Sequence, residues 1–200
     1  ANLKLKEKTI MNVGKKFVLF LASVCMMGFA ACDGDGDADY GFGKIYMPQA
    51  MQSGGLNNSY AVPSGDGEYT YNFRVTAGYV KAVLGVTRSG KLSDARGFSV
   101  SVYTSEEETA AAVSQFGGEP MPSDFYEPLP RSVTVPSGKS GEVFYLEIPR
   151  SGLSDPANAG KKYVLAVGIS DPTAYELAET GTVTAVIVDV DALNDAVEAL

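Results

Sequence analysis

Val80-Lys81-Ala82-Val83-Leu84-Gly85-Val86-Thr87 decides the fold. Val80, Ala82, Leu84 and Val86 alternate with Lys81, Val83, Gly85 and Thr87, and a period of two places the first four on one face of a β-strand. The same period extends outward in both directions. Tyr69, Tyr71, Phe73 and Val75 alternate with Thr70, Asn72, Arg74 and Thr76. Phe98, Val100 and Val102 alternate with Ser99, Ser101 and Tyr103. Lys44 to Met47, Val133 to Val135, Val143 to Ile148, Tyr163 to Ile169 and Thr182 to Val190 complete a set of about eight strands. Turn clusters separate them at Ser89-Gly90-Lys91, at Pro136 to Gly141 and at Ser151-Gly152.

One segment departs from this pattern. Ser105-Glu106-Glu107-Glu108 is a capping box, and three carboxylates in a first turn suit the helix dipole. Ala110 to Ala112 propagate a helix and Gly117-Gly118 stops it, so a short helix is expected from Glu106 to Phe116. Four prolines between Glu119 and Pro130 require an extended connection, with a hairpin turn at Pro136 to Gly141. The fold expected is all-β, an immunoglobulin-like sandwich of about seven to eight antiparallel strands with one short inserted helix over residues 44–190. Asp191 to Leu200 reads as a C-terminal tail of one or two helical turns, loosely attached.

The 200 residues carry 16 Lys and Arg against 24 Asp and Glu, no His and no Trp. Without His there is no Ser-His-Asp or Cys-His nucleophile system and no His-ligated metal. The acidic balance disfavours nucleic acid, whose capture needs a basic face. Neither a cofactor nor a metal is expected.

Residues 1–31 read as a signal peptide and upstream residues. Met11 opens the signal, Lys15 and Lys16 supply its positive region, and Phe17 to Phe29 is long enough for a signal core but too short to span a bilayer. Phe29-Ala30-Ala31-Cys32 resembles the bacterial lipobox, in which the chain is cut before a diacylated Cys. Cys25 is the competing position, but the Val24 before it is too bulky for cleavage. The Cys32 thiol is therefore the expected lipidation site, and two or three acyl chains moor a protein stably to a membrane. Cleavage removes five Lys and one Glu, leaving 11 basic and 23 acidic residues, a net charge of −12.

Residues 32–43 read as the lipidated Cys and a flexible acidic tether. Asp33, Asp35, Asp37 and Asp39 alternate with Gly and Ala. An EF-hand loop starting at Asp33 would need Gly and Glu where Ala38 and Lys44 stand, so a calcium site is a poor fit. The acidic run resembles the export tag that sends Bacteroidetes-type surface lipoproteins to the outer face of the outer membrane. The expected location is the outer membrane, lipid-anchored and exposed at the cell surface.

Lys44-Ile45-Tyr46-Met47-Pro48-Gln49-Ala50, Leu84 to Gly90, Leu129 to Gly138, Lys162 to Val167 and Val186 to Asp189, taken in order, resemble a β-sandwich domain of unknown function in Bacteroidetes surface lipoproteins. The same domain precedes the catalytic barrel of some family-18 endo-β-N-acetylglucosaminidases. The resemblance spans roughly residues 44–190. It implies a glycan-utilisation setting and transfers no catalytic residue.

Gly138-Lys139-Ser140 has the ending of a P-loop, but Val133 stands where the loop needs its first Gly. Asp124, Glu127, Asp171 and Glu176 are scattered, and nothing in their spacing sets two carboxylates across a cleft as glycoside hydrolysis requires. The eleven tyrosines are more informative. Sugars stack on aromatic faces while nearby polar groups take their hydroxyls. Tyr69, Tyr71 and Phe73 form one stripe and are expected in the core. Tyr60, Phe125, Tyr126 and Tyr175 sit in connecting segments and are the candidate ligand-binding residues, with loop anchoring as the competing role. The expected function is non-catalytic: a surface module that binds glycan, or serves a partner surface lipoprotein, in polysaccharide utilisation. The alternative is a structural or adhesive, fimbrillin-like subunit joined by donated strands.

Overall fold

The computed structural model describes residues 41–52, 55–56, 58–93 and 95–200. The signal peptide, Cys32 and the acidic run lie outside the described residues. Asp39–Leu200 belongs to one compact unit.

The strands in chain order are β1 (Lys44–Tyr46), β2 (Met51–Gln52), β3 (Gly55–Leu56), β4 (Ser59–Val62), β5 (Phe73–Val75), β6 (Tyr79–Arg88), β7 (Phe98–Thr104), β8 (Glu119–Pro120), β9 (Ser132–Val135), β10 (Gly141–Pro149), β11 (Lys162–Ser170), β12 (Glu176–Leu177) and β13 (Val183–Asp189). Among the described residues three α-helices accompany them, α1 (Glu106–Phe116), α2 (Arg150–Leu153) and α3 (Val190–Glu198), with short 3-10 turns at Pro48–Ala50 and Pro156–Asn158. Five strands form one sheet in the order β10-β6-β1-β12, with β5 also on β6. Six form the other in the order β4-β13-β11-β7-β9, with β8 also on β11. β2 and β3 pair only with each other among the described residues. The protein is an all-β sandwich with a short helix.

The central alternation holds. Val80, Ala82, Leu84 and Val86 are buried, and β10 presents Phe144, Leu146 and Ile148 beside them in register, with Phe144 opposite Leu84 and Leu146 opposite Ala82. Phe98, Val100, Val133, Val135, Val167, Ile169, Val186 and Val188 of the six-stranded sheet join them in one core. β11 reads as a continuous apolar run because both of its faces are covered. One faces the other sheet, and the other carries α1, whose Ala112 packs with Val164, Ala185 and Ile187. α1 spans the expected residues.

Four expectations need correction. The stripe from Tyr69 is a strand only from Phe73 to Val75. The Thr70 hydroxyl accepts from the Asp66 and Gly67 amides, each at 3.0 Å, and winds residues 66–70 into a turn that leaves Tyr69 92% exposed. Ser151-Gly152 lies inside the helical turn α2 rather than a loop. Pro136 to Gly141 is a corner that moves the chain from β9 in one sheet to β10 in the other, not a hairpin. The C-terminal segment is docked, not loose: Val190, Leu193 and Ala196 of α3 are buried in the main core. Their spacing of three gives one apolar face, and Asp189 caps the helix by accepting from the Ala192 amide at 3.0 Å.

Candidate functional site

The connection from Glu119 to Arg131 is pinned at intervals. The Met121 amide donates to the Val164 carbonyl at 2.8 Å, the Glu127 amide to the Glu147 carbonyl at 2.8 Å, and the Val102 amide to the Arg131 carbonyl at 3.0 Å. Between these points Phe125, 3% exposed, drives its ring into the core against Tyr163 at 4.7 Å. That anchor leaves the next residue, Tyr126, half-buried, packed on the edge of the core while lining the surface beside the end of β7 and the start of α1.

Tyr126 lines two adjoining hollows of about 440 and 360 Å³. Thr104, Ser123 and Tyr126 border both, so the two form one groove with the tyrosine at its middle. One half runs to Ser105, Glu106 and Met121. The other runs to Tyr103, Pro128, Leu129 and Arg131. Glu106 thus belongs to one half and Arg131 to the other, and Thr104 and Ser123 border both. The walls are fixed before any ligand arrives: the Thr109 hydroxyl accepts from the Ala166 amide at 3.0 Å and clamps α1 on β11. Preorganisation of this kind lowers the entropic cost of binding.

Only half of the capping box forms. The Ser105 hydroxyl accepts from the Glu108 amide at 3.2 Å, whereas Glu108 Oε2 is buried with no hydrogen-bond partner among the described residues. Burial, and then the charge of Glu108, push the Tyr103 phenol above its ordinary pKa. The Tyr103 ring lies over its cross-strand partner Gly168, where a Cβ would come within 2.3 Å of the ring.

The four tyrosine and phenylalanine candidates therefore part company. Tyr126 is half-buried in the groove. Phe125 offers no free face. Tyr60, on β4, donates its hydroxyl to the Val83 carbonyl of the opposite sheet at 2.8 Å. Tyr175 meets Phe98 edge-on at 5.8 Å and lies 5.2 Å from the Arg88 guanidinium. Its hydroxyl accepts from the Arg96 amide at 2.8 Å and donates to the Arg96 carbonyl at 3.2 Å, so it pins that loop. The scattered carboxylates are not gathered. Glu176 is ion-paired with Lys44, Ser170 donates to Asp171 at 2.7 Å, and Tyr79 donates to Glu127 at 3.5 Å. Among the described residues no cluster of three acidic or Cys side chains could hold a metal ion, and no helix is long and apolar enough to cross a membrane.

The sequence reading missed Thr104, Ser123, Glu106 and Arg131 as groove residues, because ordinary polar side chains carry no local signature until a fold converges them. It also missed the exposure of Tyr69. The run Ser64-Gly65-Asp66-Gly67 just ahead of it is a turn signal that the alternation after it outweighed.

No protein-family model matches the chain, and no curated protein does. Solved structures resemble it at low identity. One is a putative carbohydrate binding protein from Bacteroides ovatus, 14% identical with a TM-score of 0.47, covering 73% of this chain and 36% of the other. Another, also from Bacteroides ovatus and of unknown function, is 20% identical with a TM-score of 0.47, covering 73% and 45%. A multidomain Bacteroides ovatus protein that includes DUF1735 is 20% identical with a TM-score of 0.43, covering 72% and 44%. This chain spans less than half the length of each.

Proposed function

We propose that the protein is a non-catalytic, lipid-anchored surface module that binds glycan in the groove around Tyr126. The observation that carries this reading is the groove itself. A half-buried aromatic is held at its middle, Ser123 and Thr104 border both halves, and Glu106 belongs to one half and Arg131 to the other. An aromatic face takes the C–H side of a pyranose, the carboxylate accepts from its hydroxyls and the guanidinium donates to them. Two hollows on either side of one ring suit a chain of at least two sugars. The lipobox-like Cys32, the acidic run and the sequence resemblance to surface-lipoprotein sandwich domains support the setting of polysaccharide utilisation. The resemblance to the domain that precedes family-18 endo-β-N-acetylglucosaminidase barrels supports an accessory role beside a glycan-cleaving partner.

Calorimetric titration with an oligosaccharide chosen from a glycan array tests the reading. Tyr126→Ala is expected to lower affinity by about tenfold, equivalent to ~1.4 kcal/mol. No binding to any arrayed host or plant glycan by the wild type overturns it.

A second reading, a fimbrillin-like structural subunit, has one observation in its favour. β10 ends its sheet, and although the Glu127 amide already takes its Glu147 carbonyl, the rest of that edge is where a donated strand could pair. Heat- and detergent-resistant ladders on a gel would favour it over glycan capture.

A further inference from the structure

The loop from Pro63 to Asn72 joins β4 to β5 and is held from within. The Thr70 hydroxyl donates to the Asp66 carboxylate at 2.8 Å while accepting from two amides. The Thr70 and Tyr71 amides both donate to the Gly67 carbonyl at 2.9 Å. The Asn72 side chain accepts from the Ser64 amide at 2.8 Å and donates to the Ala61 carbonyl at 2.7 Å, closing the base of the loop. Gly65 sits at φ +102°, and a Cβ there would lie 2.4 Å from the Thr70 carbonyl oxygen. A loop this tightly bonded has no reason of its own to carry a large apolar ring at its tip. It nevertheless holds Tyr69 there, 92% exposed, next to a hollow of about 400 Å³ walled by Glu68, Arg74 and Leu200.

We propose that Tyr69 is a second sugar-binding platform, which takes one neutral hexopyranose residue of a polysaccharide through its open ring face, with Glu68 and Arg74 as the polar partners. The ring is rigid and its loop preformed, so binding orders little. Arg74 rests its Nη1 on the Tyr71 and Phe73 carbonyls at 3.4 and 3.3 Å, which steadies the guanidinium at the hollow's wall. The chemistry selects the occupant. A protein hot spot sits inside a ring of apolar neighbours that exclude water. Here the aromatic shares its hollow with Glu68 and Arg74, and of its apolar neighbours Phe73 is buried, which leaves Val75 and Leu200 to extend the apolar area. With one carboxylate and one guanidinium the lining carries no net charge to favour a charged sugar, and the hydroxyls of a neutral sugar can donate to Glu68 and accept from Arg74. The platform shares the ligand class proposed for the Tyr126 groove but none of its residues.

The test labels the full-length protein with 3-fluorotyrosine and follows its ¹⁹F resonances. Tyr69 is assigned by the signal lost in Tyr69→Leu, and Tyr126 by the signal lost in Tyr126→Leu. The probes are methyl glucoside, galactoside, mannoside and N-acetylglucosaminide in both anomers, then methyl glucuronide and glucosamine. The expected result is a saturable shift of the Tyr69 signal with at least one neutral glycoside, retained in Tyr126→Leu. An unmoved Tyr69 signal across all neutral probes overturns the platform even where Tyr126 responds. A Tyr69 response with a silent Tyr126 sustains the platform as a site separate from the groove, whose own test is the oligosaccharide titration. A stronger response to the charged sugars than to the neutral ones overturns the ligand assignment. The thermal midpoint of Tyr69→Leu should match the wild type, since the ring it removes is exposed.

Discussion

Tyr60 carries a hydrogen bond that crosses the sandwich, from β4 in one sheet to the Val83 carbonyl in the other at 2.8 Å. Burial pushes its pKa up to about 12, partly offset by hydrogen bonding at Asn72. In the unfolded chain the phenol ionises near its ordinary value of about 10. Below that value the phenol is neutral in both states and its contribution to stability is complete. As pH rises from about 10 toward 12 the unfolded chain ionises first, and the contribution is lost. The loss is on the order of 1 kcal/mol near pH 11, one unit above the unfolded value. Tyr60→Phe should cost about 1 kcal/mol at neutral pH, the worth of one buried hydrogen bond. Urea unfolding of both proteins at pH 7 and pH 11 checks this, and the gap between wild type and variant should close or invert at the higher pH. A constant gap would mean that the Tyr60 phenol ionises alike in both states.

Helix α3 shows how an element is judged wrongly in isolation and rightly in context. Val190-Asp191-Ala192-Leu193 announces a capped helix, because Asp189 is a good N-cap and the residues after it are good helix formers. Whether nine residues stay attached depends on what lies beneath them, and no local pattern reveals that. Leu193 is 0% exposed, so Leu193→Ala should destabilise the fold by about 2–4 kcal/mol in denaturant titration. A free tail would tolerate the change. The same distinction separates what was legible from what was not. β6, β7, β10, β11 and β13 could be read directly because long alternating or fully apolar runs have few other uses. β4, β8 and β12 could not, since two to four residues hold no period and they pair in parallel with β13, β11 and β1 from far along the chain. At the site, the sequence offered Tyr126 as one of four aromatics and gave no means of choosing. Packing chose, by driving Phe125 inward and by tying the hydroxyls of Tyr60 and Tyr175 to backbone atoms.

At the scale of the molecule, the proposed function joins a body that recognises sugars to an anchor that keeps it at the cell surface. The anchor has its own chemistry and can be tested apart from binding. Growth with labelled palmitate should mark the wild type, because its Cys32 thiol is the proposed acyl acceptor. Cys32→Ser should abolish the label and leave the signal uncut, since the cut follows diacylation of that Cys, so the variant should run as a larger, unlabelled protein. The variant should still bind the same oligosaccharide with unchanged affinity, because the residues that line the Tyr126 and Tyr69 hollows belong to the sandwich and leave Cys32 out. Labelling that persists in Cys32→Ser would move the acyl site elsewhere. Replacing Asp33, Asp35, Asp37 and Asp39 with Ala separates the remaining step. The protein should stay acylated but become resistant to protease added outside intact cells, since an acidic tag acts on export and not on lipidation. Equal protease sensitivity in that variant would remove the tag from the proposal while leaving the anchor and the sugar sites in place.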